Sequence, residues 1–172
     1  SELQVICDNA FAESSIEAIS IPSSVKEIGI LAFNYCSSLE KVEFSEESQL
    51  NSIKESTFSD SSIKNIIIPR NMKQIGEYAF YFCRNLSTIQ FSKHSQLSLI
   101  DKYAFAESLI EEITIPSHVK EIRACAFFNC HHLTKVDFSE NSELNSIEKE
   151  TFCNSSIKSI SIPSGVENFG EG

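Results

Sequence analysis

Apolar positions recur along this chain with a long period. Phe11, Phe33, Phe58, Phe80, Phe105, Phe127 and Phe152 are separated alternately by 22 and 25 residues, so the true repeat is a 47-residue pair of unlike units. Pro22, Pro69, Pro116 and Pro163 keep the 47-residue period, as do Cys36, Cys83 and Cys130. The short unit reads F-x-x-S-x-I-x-x-I-x-I-P-x-x-V-x-x-I-x-x-x-A, as over 11–32, with Met72 in place of valine in the second copy. The long unit reads F-x-x-C-x-x-L-x-x-V/I-x-F-S, then a polar insert and L-x-x-I, as over 33–53.

One segment per unit has strand character: 16–21, 39–44, 63–68, 86–91, 110–115, 133–138 and 157–162. Each is apolar at its first, fourth and sixth positions, the last two alternating with polar residues, which predicts a strand with one buried face. Proline directly after the short-unit strand removes an amide donor and predicts that the ladder ends there. Downstream, Ile28, Ala32 and Phe33 are spaced i, i+4, i+5, as are Ile75, Ala79 and Phe80. That spacing predicts a short helical turn with one side against the strand layer.

A unit of about 23 residues cannot close its own core, so the units must stack with strands about 4.8 Å apart. The expected fold is an α/β repeat solenoid: a right-handed, curved rod roughly 30 to 35 Å long, with a parallel β-sheet on the concave face and short helical turns on the convex face. About seven units fill residues 1–172 as one domain, expected to be a fragment of a longer protein.

The phrases IPSSVKEIGILAFNYCSSLEKVEF and IPRNMKQIGEYAFYFCRNLSTIQF resemble the BspA-like, or Treponema-type, leucine-rich repeats, with strand, Pro, Val, Ile-Gly, Ala-Phe and Cys at matching offsets. The resemblance covers essentially the whole chain. Members are surface-associated proteins of oral and gut bacteria and of mucosal protozoan parasites. The resemblance therefore implies a non-catalytic protein-binding module, at the cell surface or secreted, that mediates adhesion of a microbial or parasite cell to host proteins or cells. The alternative is a structural spacer or self-associating rod within a larger protein. The inserts SEESQLNSI and SENSELNSI look closer to the protozoan members. Arg123 departs from the pattern where Gly29 and Gly76 set a glycine, which predicts that one turn is opened or re-aimed.

Charge narrows the partners. The net charge is −10, from 14 Lys+Arg against 24 Asp+Glu, and the basic residues are scattered singly, so nucleic acid and anionic membrane surfaces are poor partners. No apolar run approaches the roughly 20 residues that span a bilayer. The start at Ser1-Glu2-Leu3 carries no Met and no signal pattern, and reads as an excised soluble segment. Both ends cut through a repeat, which predicts apolar edges over 3–11 and 166–169 and self-association through them.

The cysteines invite a disulfide or a metal. Cys36, Cys83 and Cys130 fall three residues after the repeat phenylalanine, where short units place Ser14, Ser61, Ser108 and Ser155. Copies two coils apart lie about 9 to 10 Å from one another, beyond the reach of about 7 Å for a disulfide's Cα atoms. A buried ladder of small side chains bonding to neighbouring backbone is the favoured reading. Cys125, Cys130, His131 and His132 form a C-x4-C-H-H cluster, but zinc sites pair close ligands with a second pair farther along, and an exposed histidine pair is the simpler expectation. Cys7 and Cys153 read as isolated thiols. No nucleophile elbow or phosphate-cradling glycine loop is present, and Glu46-Glu47 and Glu111-Glu112 suit solvated loops or a sheet edge. The expectation is no enzyme, no cofactor and no metal. Two sequons, at Asn85 and Asn154, matter only in a secreted eukaryotic chain.

A binding surface is expected where exposed positions repeat on a rigid frame, at the third and fifth residues of each strand on the concave face. That grid comprises Lys41, Glu43, Asn65, Ile67, Thr88, Gln90, Glu112, Thr114, Lys135 and Asp137, flanked by Ala18, Ser20, Ser159 and Ser161. Ile67 is its one large apolar member and sits near its middle. An apolar centre in a polar frame is the form of an interface hot spot; a stray surface isoleucine is the alternative.

Overall fold

A computed structural model describes residues 2–171 as a parallel β-solenoid of about seven coils. Two strand segments recur per coil, numbered here in chain order. The wide set has four residues each: β2 (Ala18–Ile21), β4 (Lys41–Phe44), β6 (Asn65–Ile68), β8 (Thr88–Phe91), β10 (Glu112–Ile115) and β12 (Lys135–Phe138). The narrow set has two: β1 (Val5–Ile6), β3 (Glu27–Ile28), β5 (Ser52–Ile53), β7 (Gln74–Ile75), β9 (Leu99–Ile100), β11 (Glu121–Ile122), β13 (Ser146–Ile147) and β14 (Asn168–Phe169).

The wide strands are the predicted ones, each starting at the third residue of its apolar pattern. The seventh segment, 157–162, forms no strand, contrary to expectation. The narrow ladder was not expected at all. Its Ile28 and Ile75 are the residues expected on helical turns, but they pair coil to coil, Ile28 with Ile6 and Ile75 with Ile100.

No helix is present among the described residues, which corrects the expected helical turns. The reason lies in the backbone beside each repeat phenylalanine. Residues two before it take left-handed φ (Leu31 58°, Ser56 50°, Tyr78 55°, Tyr103 55°, Cys125 60°), and so do residues two after it (Tyr35 54°, Asp60 56°, Phe82 57°, Glu107 63°, Asn129 56°). A right-handed turn cannot pass through such residues. The phenylalanine amide instead donates to the next coil: Phe33 N to Thr57 O at 2.8 Å, Phe80 N to Ala104 O at 2.8 Å, Phe105 N to Ala126 O at 2.9 Å.

Inside, Phe33, Phe58, Phe80, Phe105 and Phe127 are fully buried and stack face to face from coil to coil, with centroids 5.2 to 5.4 Å apart. Burying each ring contributes about 1.5–3 kcal/mol. Beside this spine runs the Ser/Cys column. Cys36 Sγ donates to Phe11 O at 3.0 Å, Cys83 Sγ to Phe58 O at 3.1 Å and Cys130 Sγ to Phe105 O at 3.3 Å, each beside the serine one coil back. All six cysteines are free thiols, and burial pushes Cys83 up to about 12, so it stays protonated in its structural role.

The wide ladder is uneven. Four register pairs join β2 to β4, β6 to β8 and β10 to β12. A single pair, Lys41 with Asn65, joins β4 to β6, and β8 is not hydrogen-bonded to β10. The weak junctions follow the proline period. Where a short-unit strand is followed by a long-unit one, serine closes the ladder: Ser45 N to Ile21 O at 3.0 Å, Ser92 N to Ile68 O at 3.1 Å, Ser139 N to Ile115 O at 3.0 Å. Where the order is reversed, the equivalent donors would be Pro69 and Pro116, which have no N–H.

Candidate binding face

The strands set the grid by alternation. In β4 and β12 the burial runs exposed, buried, exposed, half-buried, so Val42 and Val136 enter the core while Lys41, Glu43, Lys135 and Asp137 face out. Asn65, Ile67, Thr88, Gln90, Glu112 and Thr114 are likewise exposed, so all ten grid residues lie on the outer surface of the wide ladder. Register fixes their neighbours: Asn65 beside Thr88, Ile67 beside Gln90, Glu112 beside Lys135, Thr114 beside Asp137.

The charges pair along their own strands, Lys41 with Glu43 at 2.6 Å and Lys135 with Asp137 at 2.7 Å, and Ser20 donates to Glu43 at 3.2 Å. These contacts hold the Glu43 carboxyl below its ordinary range, chiefly through the Lys41 hydrogen bond, and raise the Lys135 ammonium, chiefly through Asp137. Pairs this exposed add little stability; they orient the heads. Ile67 is 57% exposed among them.

Beside Ile67 the open junction between β8 and β10 forms a groove of about 680 Å³. It collects half of the grid, Thr88, Gln90, Glu112, Thr114 and Asp137, over a floor that includes Ile89, Phe91 and Ile113. Lys41, Glu43, Asn65, Ile67 and Lys135 lie outside it. Three residues that the grid omitted line its end: Lys93, His94 and His118. The signal for Lys93 and His94 was present in the repeat, since they stand where the other long inserts carry Glu46-Glu47 and Glu140-Asn141.

Arg123 leaves its turn closed, with Arg123 N on Ile100 O at 2.9 Å, and swings its guanidinium onto Asp101 of the preceding coil at 3.2 Å. The expected opening is therefore absent. Cys130 is buried in the thiol column, whereas His131 and His132 are exposed, with His131 Nδ1 2.9 Å from Asn154 O. Among the described residues no three His, Cys, Asp or Glu side chains converge as metal ligands. Both sequon asparagines are exposed.

Three solved structures share this architecture. The pneumococcal vaccine antigen PcpA is 22% identical with a TM-score of 0.65, over 98% of this chain and 64% of that one. A leucine rich cell surface protein from Faecalibacterium prausnitzii is 19% identical with a TM-score of 0.61, over 98% and 61%. The Treponema pallidum leucine rich repeat protein is 23% identical with a TM-score of 0.67, over 88% and 70%. The chain thus spans less than two thirds of the first two, and at these identities the likeness is one of fold. No curated protein matches the sequence. The model of the BspA type leucine rich repeat region matches residues 4–108 and 98–172, in six copies, and the chain belongs to that family.

Proposed function

We propose that this chain is a non-catalytic protein-binding module whose wide-ladder face receives a partner, along a line from Ile67 into the groove between β8 and β10. The observation that carries this reading is the exposed Ile67, set in a polar grid and paired with Gln90, which lines that groove. An apolar anchor next to a concavity with polar walls is the arrangement in which a few residues dominate an interface. The repeat family is generally one of protein interaction, and the neighbours include a vaccine antigen and a cell surface protein. Those likenesses support a place at the cell surface or in secretion, and adhesion to host proteins or cells as the task.

The test is a titration of the chain against immobilised host extracellular-matrix proteins, with Ile67→Asp alongside. The expected result is at least about a tenfold loss of affinity, or roughly 1.4 kcal/mol, with the far-ultraviolet spectrum unchanged. Equal affinity removes Ile67 from the interface. The second reading, a self-associating rod, draws on exposed Leu3, Val5 and Phe169 at opposite ends of the described residues. Light scattering separates the two, because a mass that rises with concentration favours the rod.

A further inference from the structure

The surface opposite in role to the grid, where the turns around each repeat phenylalanine emerge, carries all four tyrosines of the chain. Tyr78 and Tyr103 come from adjacent coils and stack with centroids 5.0 Å apart and planes 5° from parallel. Tyr81 stands edge-on to both, at 5.3 Å and 85° from Tyr78 and 6.4 Å and 89° from Tyr103. All three are half-buried, so the rings form an open corner with two walls at right angles.

Core packing does not explain this corner, because the phenylalanine spine already fills the interior and the tyrosines lie outside the core cluster. Nor does local backbone preference. Tyr78 and Tyr103 occupy the left-handed position that Asn9, Leu31, Ser56, Cys125 and Glu150 fill in the other coils, so the turn itself does not call for an aromatic ring.

The electrostatic setting points to a use. Glu55 and Glu77 act on the Tyr78 phenol, Asp60 and Glu107 on Tyr81, and Glu150 on Tyr103. They hold the phenols protonated to higher pH, behind burial for Tyr78 and Tyr81, and behind Cys125, burial and Tyr78 for Tyr103. These five acids outnumber the bases that flank the same turns along the chain, Lys54, Arg84, Lys102 and Lys149. The faces of aromatic rings attract cations, and surrounding carboxylates strengthen the field. The chain supplies an example at the rim, where the Arg84 guanidinium sits 4.3 Å from the centroid of Phe82, itself 4.6 Å from Tyr81.

We propose that Tyr78, Tyr81 and Tyr103 form a second docking surface that takes a lysine or arginine side chain from a basic segment of a partner protein. A second copy of this chain is the poorer occupant, because its net charge is −10. The proposal is independent of the wide-ladder face and of Ile67.

The chain reports on this corner by itself, because it has no tryptophan and three of its four tyrosines are there. Titration with an acetylated tetra-arginine peptide at about 0.15 M salt, where surface attraction is screened beyond about 8 Å, is expected to change tyrosine fluorescence saturably, and a tetra-glutamate peptide to leave it unchanged. Tyr103→Ser places in the corner a residue that the same column already holds at Ser56, so folding is preserved and checked by thermal melting. It is expected to weaken peptide binding about two- to fivefold, the size of one exposed cation–π contact. Glu107→Gln, with every ring intact, is expected to weaken it as well. The assignment is overturned if no saturable change occurs. It is also overturned if Tyr103→Ser binds the peptide equally well, which would leave acid attraction alone, or if fluorescence changes with protein concentration in the absence of peptide, which would make a second copy the occupant.

Discussion

The two ladders of this solenoid cross the same junctions between coils and answer them differently. The wide ladder is fully paired from each short-unit strand to the next long-unit strand, then thins to one pair between β4 and β6 and vanishes between β8 and β10. At both of those weak junctions the narrow ladder is intact, pairing β5 with β7 and β9 with β11. Where the narrow ladder lapses instead, between β3 and β5, the wide strands β2 and β4 hold all four pairs. Each of these junctions is thus fully held by at least one ladder. From β5 onward the two-residue strands, with no proline among them, pair without a break, which leaves the four-residue strands free to part and make a groove.

Both ladders pack on the phenylalanine spine. Phe80 is fully buried, stacked between Phe58 at 5.4 Å and Phe105 at 5.3 Å. Phe80→Ala is expected to cost about 3–5 kcal/mol in urea unfolding, from lost transfer energy and the cavity left behind. Amide exchange should accelerate in the strands of both ladders on either side of it. A loss below about 1 kcal/mol would show that the ladders stand without the spine.

A smaller substitution strikes one ladder only. Ser92 N donates to Ile68 O at 3.1 Å and closes the β6–β8 junction. Ser92→Pro deletes that donor, while Phe91 before it is already extended, as a residue preceding proline prefers. The expected cost is about 1–3 kcal/mol, from the carbonyl left unmatched. Hydrogen exchange should quicken in β6 and β8 and stay unchanged in β7 and β9. Equal loosening of both ladders would mean that they are not separable.

Much of this architecture is legible in the residues, for identifiable reasons. A phenylalanine recurring at 22 and 25 residues had to be a spine, and a Ser/Cys column beside it had to point inward. The alternating pattern exposed Ile67 and the rest of the grid. The narrow ladder was hidden because two-residue strands such as Gln74–Ile75 are too short to show a period of two. Their surrounding apolar spacing, Met72 to Ile75 or Leu50 to Ile53, is that of a helix face. The left-handed turns were hidden because residues such as Leu31 and Tyr78 fill them where glycine or asparagine would have advertised them. The groove follows from a missing donor rather than from any motif, and the prolines alone foretold only where strands end.

Restoring the missing donor should change stability least of all. Pro116 stands opposite the β8 strand at the place where the closed junctions carry Ser45, Ser92 and Ser139. Pro116→Ser restores an N–H that can reach the carbonyl of Phe91, gaining about 0.5–1.5 kcal/mol. Releasing the ring frees the unfolded chain and gives back about 0.4–1 kcal/mol, so net stability should move by less than about 1 kcal/mol. The amide created at position 116 is the decisive readout. If the proline period opens the wide ladder, that amide will exchange slowly, β8 and β10 will pair, and the groove beneath Gln90 and Thr114 will narrow, weakening any partner that enters it. An amide at 116 that exchanges as fast as an exposed loop would place the cause elsewhere, in the bulk of half-buried Phe91 where the short units carry isoleucine.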